Sequence, residues 1–407
     1  MAENEKLTLK DIQMAAKRIA PIVHHTPLDH YHTFSDSVGR EVYLKCENLQ
    51  RTGSFKIRGA ANKIASLTDE EKKCGVIAAS AGNHAQGVAL AATMQGITST
   101  IFMPEGAPIS KVMATRGYGA EVMLVGESYD EAYQASVDYQ KKTGATFVHA
   151  FNDFAVMAGQ GTLGLEILED LPDVNTVVLP IGGGGLISGA AVALKENNPQ
   201  IKIVGVQAEG CPAMYLSHRK KHICQLDSAI TIADGIAVKN PGELTFPVIE
   251  SYVDDIVTVS DEEIANAVLI MLERSKLVAE GSGAVPLAAL LNNKVNIKGQ
   301  KVVALVSGGN IDANTIANII TRGLVKAGRQ VKLITSLPDK PGQLGKLLKI
   351  LAEAKANILY INHDRAALQV AVGETQVYLT METRGHDHVE EIIRKMTQHG
   401  YQVKVIS

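Results

Sequence analysis

The sequence predicts an α/β fold of mostly parallel sheets, followed by a ferredoxin-like unit over residues 329–407. Three observations predict it. Short β-rich runs alternate with alanine-rich helical runs. The later strand runs are apolar at nearly every position, as strands buried on both faces require. Near residue 325 the order changes to strand, helix, strand, strand, helix, strand. At 407 residues the chain exceeds the usual single-domain size, so two or three packed units are expected.

Taken in order, LTLKDIQMAAKRIAPIV (residues 7–23) spaces its apolar residues as a helix does, with Thr8 as N-cap and Pro21 closing it. GVIAAS then reads as a strand, followed by a helix from Asn83, strands in STIFMP and AEVMLVG, and a helix through Tyr133 and Tyr139. The βαβ rhythm resumes at TVVLPIG, KIVGVQAEG and KVVALVSGG, three apolar strands ending in glycine or acidic turns. Beyond residue 329, Pro341 and Gly342 turn the chain from a strand into a helix, as any ferredoxin-like unit needs.

Composition excludes some function classes. Lys+Arg 40 against Asp+Glu 43 leaves a formal charge of -3, and the longest basic run, RKK around Lys220, reads as a solvated loop, so nucleic acid is not an expected partner. Cys46, Cys74, Cys211 and Cys224 are too widely spaced for a zinc or dithiol motif and read as reduced thiols. The segment MAENEKLTLKDIQ lacks an apolar core, and no apolar run reaches the roughly 18 residues that cross a bilayer. No membrane partner and a cytoplasmic address are expected.

Four motifs carry candidate chemistry. In SFKIRGA, Lys56 stands between apolar Phe55 and Ile57 and beside cationic Arg58; desolvation and a neighbouring cation both depress an amine's pKa and make it nucleophilic. A half-buried helical lysine that snorkels is the bland reading. SAGNHAQG follows a strand and opens a helix, so the Ser80 hydroxyl and the amides of Ala81, Gly82 and Asn83 lie where an anionic carboxylate binds; His84, in the first helical turn, reads more simply as structural. GGGGL, Gly182 to Leu186, lies between the strand TVVLPI and a helix, a setting in which amides converge on a phosphate. SGGN places Ser307 at the end of a strand, as a site hydroxyl or as a helix N-cap.

In order and spacing these motifs resemble the fold type II pyridoxal phosphate enzymes, of the tryptophan synthase β kind, and within them the threonine and serine dehydratases, also called threonine ammonia-lyases. The resemblance covers essentially the whole chain. It implies a catalytic domain over 1–325 with two parallel-sheet subdomains, the smaller spanning roughly 47–155. DKPGQLGKLLKILAEAKANI resembles the signature of an ACT domain, which implies that 329–407 is regulatory.

By this resemblance, pyridoxal 5'-phosphate is the cofactor and Lys56 its covalent anchor and the base for the α-proton. Gly182, Gly183, Gly184, Gly185 and Leu186 hold the phosphate, Ser307 faces the ring nitrogen, Asn83 the ring oxygen, and Phe55 packs near the ring. Ser80, Ala81, Gly82, Asn83 and His84 form the substrate-binding motif. Ala81 stands where serine racemases carry a serine, which favours elimination over racemisation. Glu209 and Ala213, and separately Glu280, mark candidate sites for a monovalent or divalent cation, with salt bridging as the alternative; Tyr215 replaces an acidic ligand of the racemase pattern.

The expected activity is conversion of L-threonine to 2-oxobutyrate and ammonia, and of L-serine to pyruvate. Alternatives are a serine or hydroxyaspartate dehydratase, a serine racemase-like enzyme, β-replacement of the cysteine synthase kind, a silent amino-acid sensor, and a nicotinamide-dependent oxidoreductase. The expected partners are an amino-acid substrate, an amino-acid effector near Gly342 and Asn357, and further copies of the chain in a homodimer or homotetramer.

Overall fold

The structure is a computed structural model that describes residues 6–406 and divides into two compact units, Met1–Ile311 and Asp312–Ser407. The first opens with the helix Leu9–Ile19, where the Thr8 hydroxyl accepts from the Asp11 amide and the Asp11 carboxylate accepts from the Thr8 amide. This reciprocal cap satisfies two amides that no helical carbonyl reaches. Ile12, Ala15 and Ile19 form the buried face of that helix.

Strands β1 (Leu28–His30) and β2 (Glu41–Cys46) follow. Next come β3 (Val76–Ala79), β4 (Ser99–Met103), β5 (Glu121–Leu124) and β6 (Thr146–Phe147), a parallel sheet in the order β5-β4-β3-β6. The chain then supplies β7 (Thr176–Pro180), β8 (Lys202–Ala208), β9 (Asp255–Val259) and β10 (Lys301–Val306). These join β1 and β2 in a six-stranded sheet of order β1-β2-β10-β7-β8-β9, parallel except for the β1–β2 pair. All of β3, β4 and β7 is buried, as their largely apolar sequences require, with polar Ser99, Thr100 and Thr176 at the strand starts.

The second unit holds the helix Ala313–Lys326 and then β11 (Gln330–Pro338), β12 (Asn357–Asp364), β13 (Glu374–Glu382) and β14 (Val403–Val405), with helices Gln343–Glu353 and His386–Gln398 between them. The sheet is antiparallel, in the order β12-β13-β11-β14, and strand β11 alternates buried and half-buried residues along its length. Its own apolar core includes Leu333, Leu347, Leu351, Leu379 and Ile392. This is the β-α-β-β-α-β arrangement expected from the sequence.

One local expectation changes. The basic run is not a loop: Arg219 and Lys220 close the helix Ala213–Lys220, where their charge suits the negative end of the helix, and Lys221 takes the left-handed cap. Among the described residues no helix is long and apolar enough to cross a membrane.

Candidate active site

Three of the four sequence motifs sit at the carboxyl ends of parallel strands, where open α/β sheets place their ligands. Ser80 follows β3, His149 follows β6, Gly182 follows β7 and Ser307 follows β10. Phe55, Lys56, Ser80 to Asn83, His149 to Asn152 and Gly182 are all partly exposed, whereas β3 and β7 are wholly buried.

Lys56 is the first residue of the helix Lys56–Ala65. Two backbone bonds hold it against the SGGN segment: the Phe55 amide donates to the Ser307 carbonyl at 3.1 Å, and the Gly309 amide to the Gly53 carbonyl at 2.9 Å. Its Nζ donates to the Ala150 carbonyl at 3.2 Å and lies 5.2 Å from the centroid of the Phe55 ring. Burial of the amine among protein atoms pulls its pKa down to about 8, against a smaller opposing pull from Glu280.

The expected help from Arg58 is corrected by the structure. That guanidinium is fully buried and bound to two carboxylates, Glu47 at 2.7 Å and Glu166 at 2.6 Å, and Glu166 also takes Lys45 at 2.8 Å. Burial alone would lower the pKa of Arg58, but these carboxylates hold it above the usual arginine value. Its charge is therefore neutralised locally, and desolvation is what lowers Lys56.

The glycine loop approaches the same place. A Cβ on Gly183 would fall 2.4 Å from the Phe151 ring, and one on Gly185 would fall 2.8 Å from both Phe151 Cα and Gln160 Oε1. Gln160 Nε2 in turn donates to the Ala150 carbonyl at 3.4 Å, the acceptor that Lys56 also uses. Gly184 has φ +97° and caps the helix Gly185–Asn197, whose first amides have no intrahelical acceptor. Among the described residues, no acceptor takes the amides of Gly182, Gly183 or Gly184. The side chain of Leu186 belongs to the core, leaving only its amide for the loop.

On the opposite flank, Asn83 Nδ2 donates to Glu280 at 2.8 and 3.0 Å, while Asn83 Oδ1 accepts from Asn310 Nδ2 at 2.8 Å. Glu280 also accepts from the Ser282 hydroxyl at 2.8 Å, and burial raises its pKa to about 6. It is a buried residue of the site's flank, so the surface salt bridge considered for it does not form. The Ser80 hydroxyl accepts from the Gly82 amide at 3.2 Å, and Ala81 packs against the neighbouring core. His84 is buried with Nε2 on the Val148 carbonyl at 2.7 Å, and burial lowers its pKa to about 3, so its ring stays neutral. Ser307 does not cap a helix; the next one starts at Ala313 and is capped by Asp312.

The remaining candidates have surroundings of their own. Glu209 is half exposed and pairs with Lys294 at 3.2 Å, and Ala213 is buried at the start of its helix. Among the described residues no group of three or more His, Cys, Asp or Glu is placed to hold a metal. In the second unit, Gly342 has φ +84° at the start of the helix Gln343–Glu353 and borders a cavity of about 350 Å³ with Asp339, Lys340, His363 and Arg365. Asn357 instead donates to Glu382 at 3.0 Å.

Sequence reasoning missed the segment His149 to Asn152. It follows a strand of two residues, too short to read. His149 Nδ1 accepts from the amides of Phe151 and Asn152, and burial, with Lys56 nearby, lowers its pKa to about 4. Asn310 was within reach as the last residue of SGGN.

The donor set suits a phosphorylated aldehyde. Among the described residues, a desolvated amine lies beside a loop with three unclaimed amides and no room for side chains, and the hydroxyl of Ser54, two residues before Lys56, is buried without a partner.

Comparison with known proteins agrees with this donor set. Residues 19–308 match the family described as pyridoxal-phosphate dependent enzyme, and residues 331–400 match the ACT domain. The chain is 54% identical to an L-threonine ammonia-lyase of Thermotoga maritima over 98% of its own length and 100% of the relative's. It is 52% identical to one of Geobacter sulfurreducens over 97% and 98%. Among solved structures it is similar to maize serine racemase (TM-score 0.75, 39% identity, 79% of this chain and 99% of that one). It is likewise similar to the processed form of threonine deaminase isoform 2 from Solanum lycopersicum (TM-score 0.74, 36% identity, 79% and 91%).

Proposed function

The chain belongs to the pyridoxal-phosphate dependent enzymes and carries an ACT domain, and from that membership we propose that it is a threonine ammonia-lyase, converting L-threonine to 2-oxobutyrate and ammonia and accepting L-serine as well. The observation that carries this reading is that Lys56 and the glycine loop are linked through one short set of residues: Lys56 Nζ donates to the Ala150 carbonyl, Gln160 donates to the same carbonyl, and Gly183 and Gly185 close on Phe151 and Gln160.

Lys56 would hold pyridoxal phosphate covalently, Gly182 to Leu186 its phosphate through their amides, Ser307 its ring nitrogen, and Phe55 the side of its ring. Asn83 would turn toward the ring oxygen from its place between Glu280 and Asn310. When bound, the cofactor supplies an electron sink for the substrate's α-carbon. The Ser80 hydroxyl and the amides of Ala81 and Asn83, at the positive end of the helix Asn83–Met94, orient the substrate carboxylate, with the Gly82 amide holding the Ser80 hydroxyl in the turn. Freed when the substrate's amine takes its place, the Lys56 amine takes the α-proton. The β-hydroxyl then takes a proton and leaves as water, and the released enamine tautomerises and takes up one water to give 2-oxobutyrate and ammonia.

Similarity to serine racemase raises a second reading. Ala81 argues against it, because racemisation needs a second proton-transfer group on the opposite face and the motif carries no hydroxyl at that position. In the ACT unit, the cavity beside Gly342, with charged Asp339 and Arg365 on its wall, suits an amino-acid effector held as a zwitterion. We place the same effector near Asn357 through pairing of ACT units in a homodimer or homotetramer. A weakly held monovalent cation at Glu209 or Glu280 also fits this reading.

The test is 2-oxobutyrate release from L-threonine by the purified protein with added pyridoxal phosphate, beside Lys56→Ala. Turnover that vanishes in the variant supports the proposal. Racemisation of L-serine without any oxo acid would replace it with the second reading.

A further inference from the structure

Thr245 opens the helix Thr245–Tyr252, is fully buried, and belongs to none of the four motifs. Its hydroxyl donates to the Gly183 carbonyl at 2.6 Å, with the Gly242 carbonyl farther off at 3.1 Å. The Gly242 amide adds a longer bond to the same Gly183 oxygen at 3.3 Å. In return, Ser188 Oγ, in the first turn of the helix after the loop, donates to the Thr245 carbonyl at 3.3 Å. A Cβ on Gly184 would lie 2.7 Å from the Thr245 hydroxyl and 2.8 Å from Ile249 Cδ1, so this helix also fills the space behind the loop.

A trans peptide points its C=O and N–H in opposite directions. Glycine on both sides leaves the Gly183–Gly184 peptide free to rotate about its flanking bonds, so nothing within the loop chooses its orientation. Pinning the Gly183 oxygen to Thr245 therefore aims the Gly184 N–H away from that helix. Among the described residues that N–H has no acceptor. We infer that Thr245 is a positioning residue for the cofactor's phosphate: its hydroxyl orients the Gly184 amide toward the phosphate without touching the cofactor itself. The inference rests on the reading of Gly182 to Gly185 as the phosphate site.

The experiment compares pyridoxal phosphate with pyridoxal, which has the same aldehyde and no phosphate. Each is titrated by its absorption band into the full-length apoprotein, as wild type, Thr245→Val and Thr245→Ser. Valine keeps the shape and loses the hydroxyl; serine keeps the hydroxyl. Thr245→Val is expected to weaken pyridoxal phosphate about ten-fold, the scale of one buried hydrogen bond, and to leave pyridoxal unchanged, with serine restoring affinity. Inorganic phosphate should also compete about ten-fold less well against the valine variant.

Equal binding of pyridoxal phosphate by valine variant and wild type would overturn the inference, as would equal weakening of both aldehydes or equal losses in valine and serine. If Thr245→Val does not fold, Thr245→Ala takes its place, and failure of both would show a residue needed for the fold instead. Failure of the underlying reading looks different: the wild type itself would then bind the two aldehydes alike.

Discussion

At the scale of single residues, the amine of Lys56 sets the clearest expectation. Its pKa of about 8 means that the protonated, unreactive form dominates below that pH and the neutral nucleophile above it. The rate at which apoprotein captures pyridoxal phosphate should therefore rise with pH up to about 8 and then level off; stopped-flow absorption would show it, and a rise continuing past pH 10 would mean an unperturbed lysine. Arg58, two residues on, plays a structural part. Replacing it with methionine strands the buried carboxylate of Glu47 and should cost about 3–5 kcal/mol in chemical unfolding. Lys56 was legible as a candidate from its neighbours in the sequence, whereas its electrostatics were not: the sequence shows Arg58 beside the lysine but cannot show that Glu47 and Glu166, from distant segments, neutralise it.

Among the elements, the glycine loop depends on what crowds it. Gly183→Ala puts a methyl 2.4 Å from the Phe151 ring, which must move together with the Ala150 carbonyl that holds Lys56. Such overpacking costs roughly 1–3 kcal/mol, so affinity for pyridoxal phosphate should fall about five-fold or more in an absorption titration. A variant that binds normally would mean the loop is not the cradle. The strands around this loop were readable because β3, β4 and β7 are apolar at most positions, and the antiparallel unit because β11 alternates. Harder to read were short or distant supports. β6 has two residues, so the segment His149 to Asn152 gave no periodic signal, and Thr245 reaches Gly183 across 62 positions of sequence. Asn83 was recognisable in its motif, but its hold by Glu280 and Asn310 is a product of the folded chain alone.

For the molecule as a whole, two units with separate cores imply two separately addressable ligand responses. Peptide-resolved amide exchange should show pyridoxal phosphate slowing exchange in residues 182–187, and a branched-chain amino acid slowing it in residues 337–344 around the ACT cavity. A flat calorimetric titration with isoleucine and valine, together with unchanged exchange in 337–344, would remove the effector proposal while leaving the catalytic one intact. The central claim is that one lysine, brought beside the glycine loop by the fold, anchors the cofactor. Borohydride reduction of the protein saturated with pyridoxal phosphate, followed by peptide mapping, tests it most directly. A single phosphopyridoxyl label on Lys56, absent from Lys56→Ala, is the expected result; a label on any other lysine, or none on a protein that turns over threonine, would refute the anchoring role of Lys56.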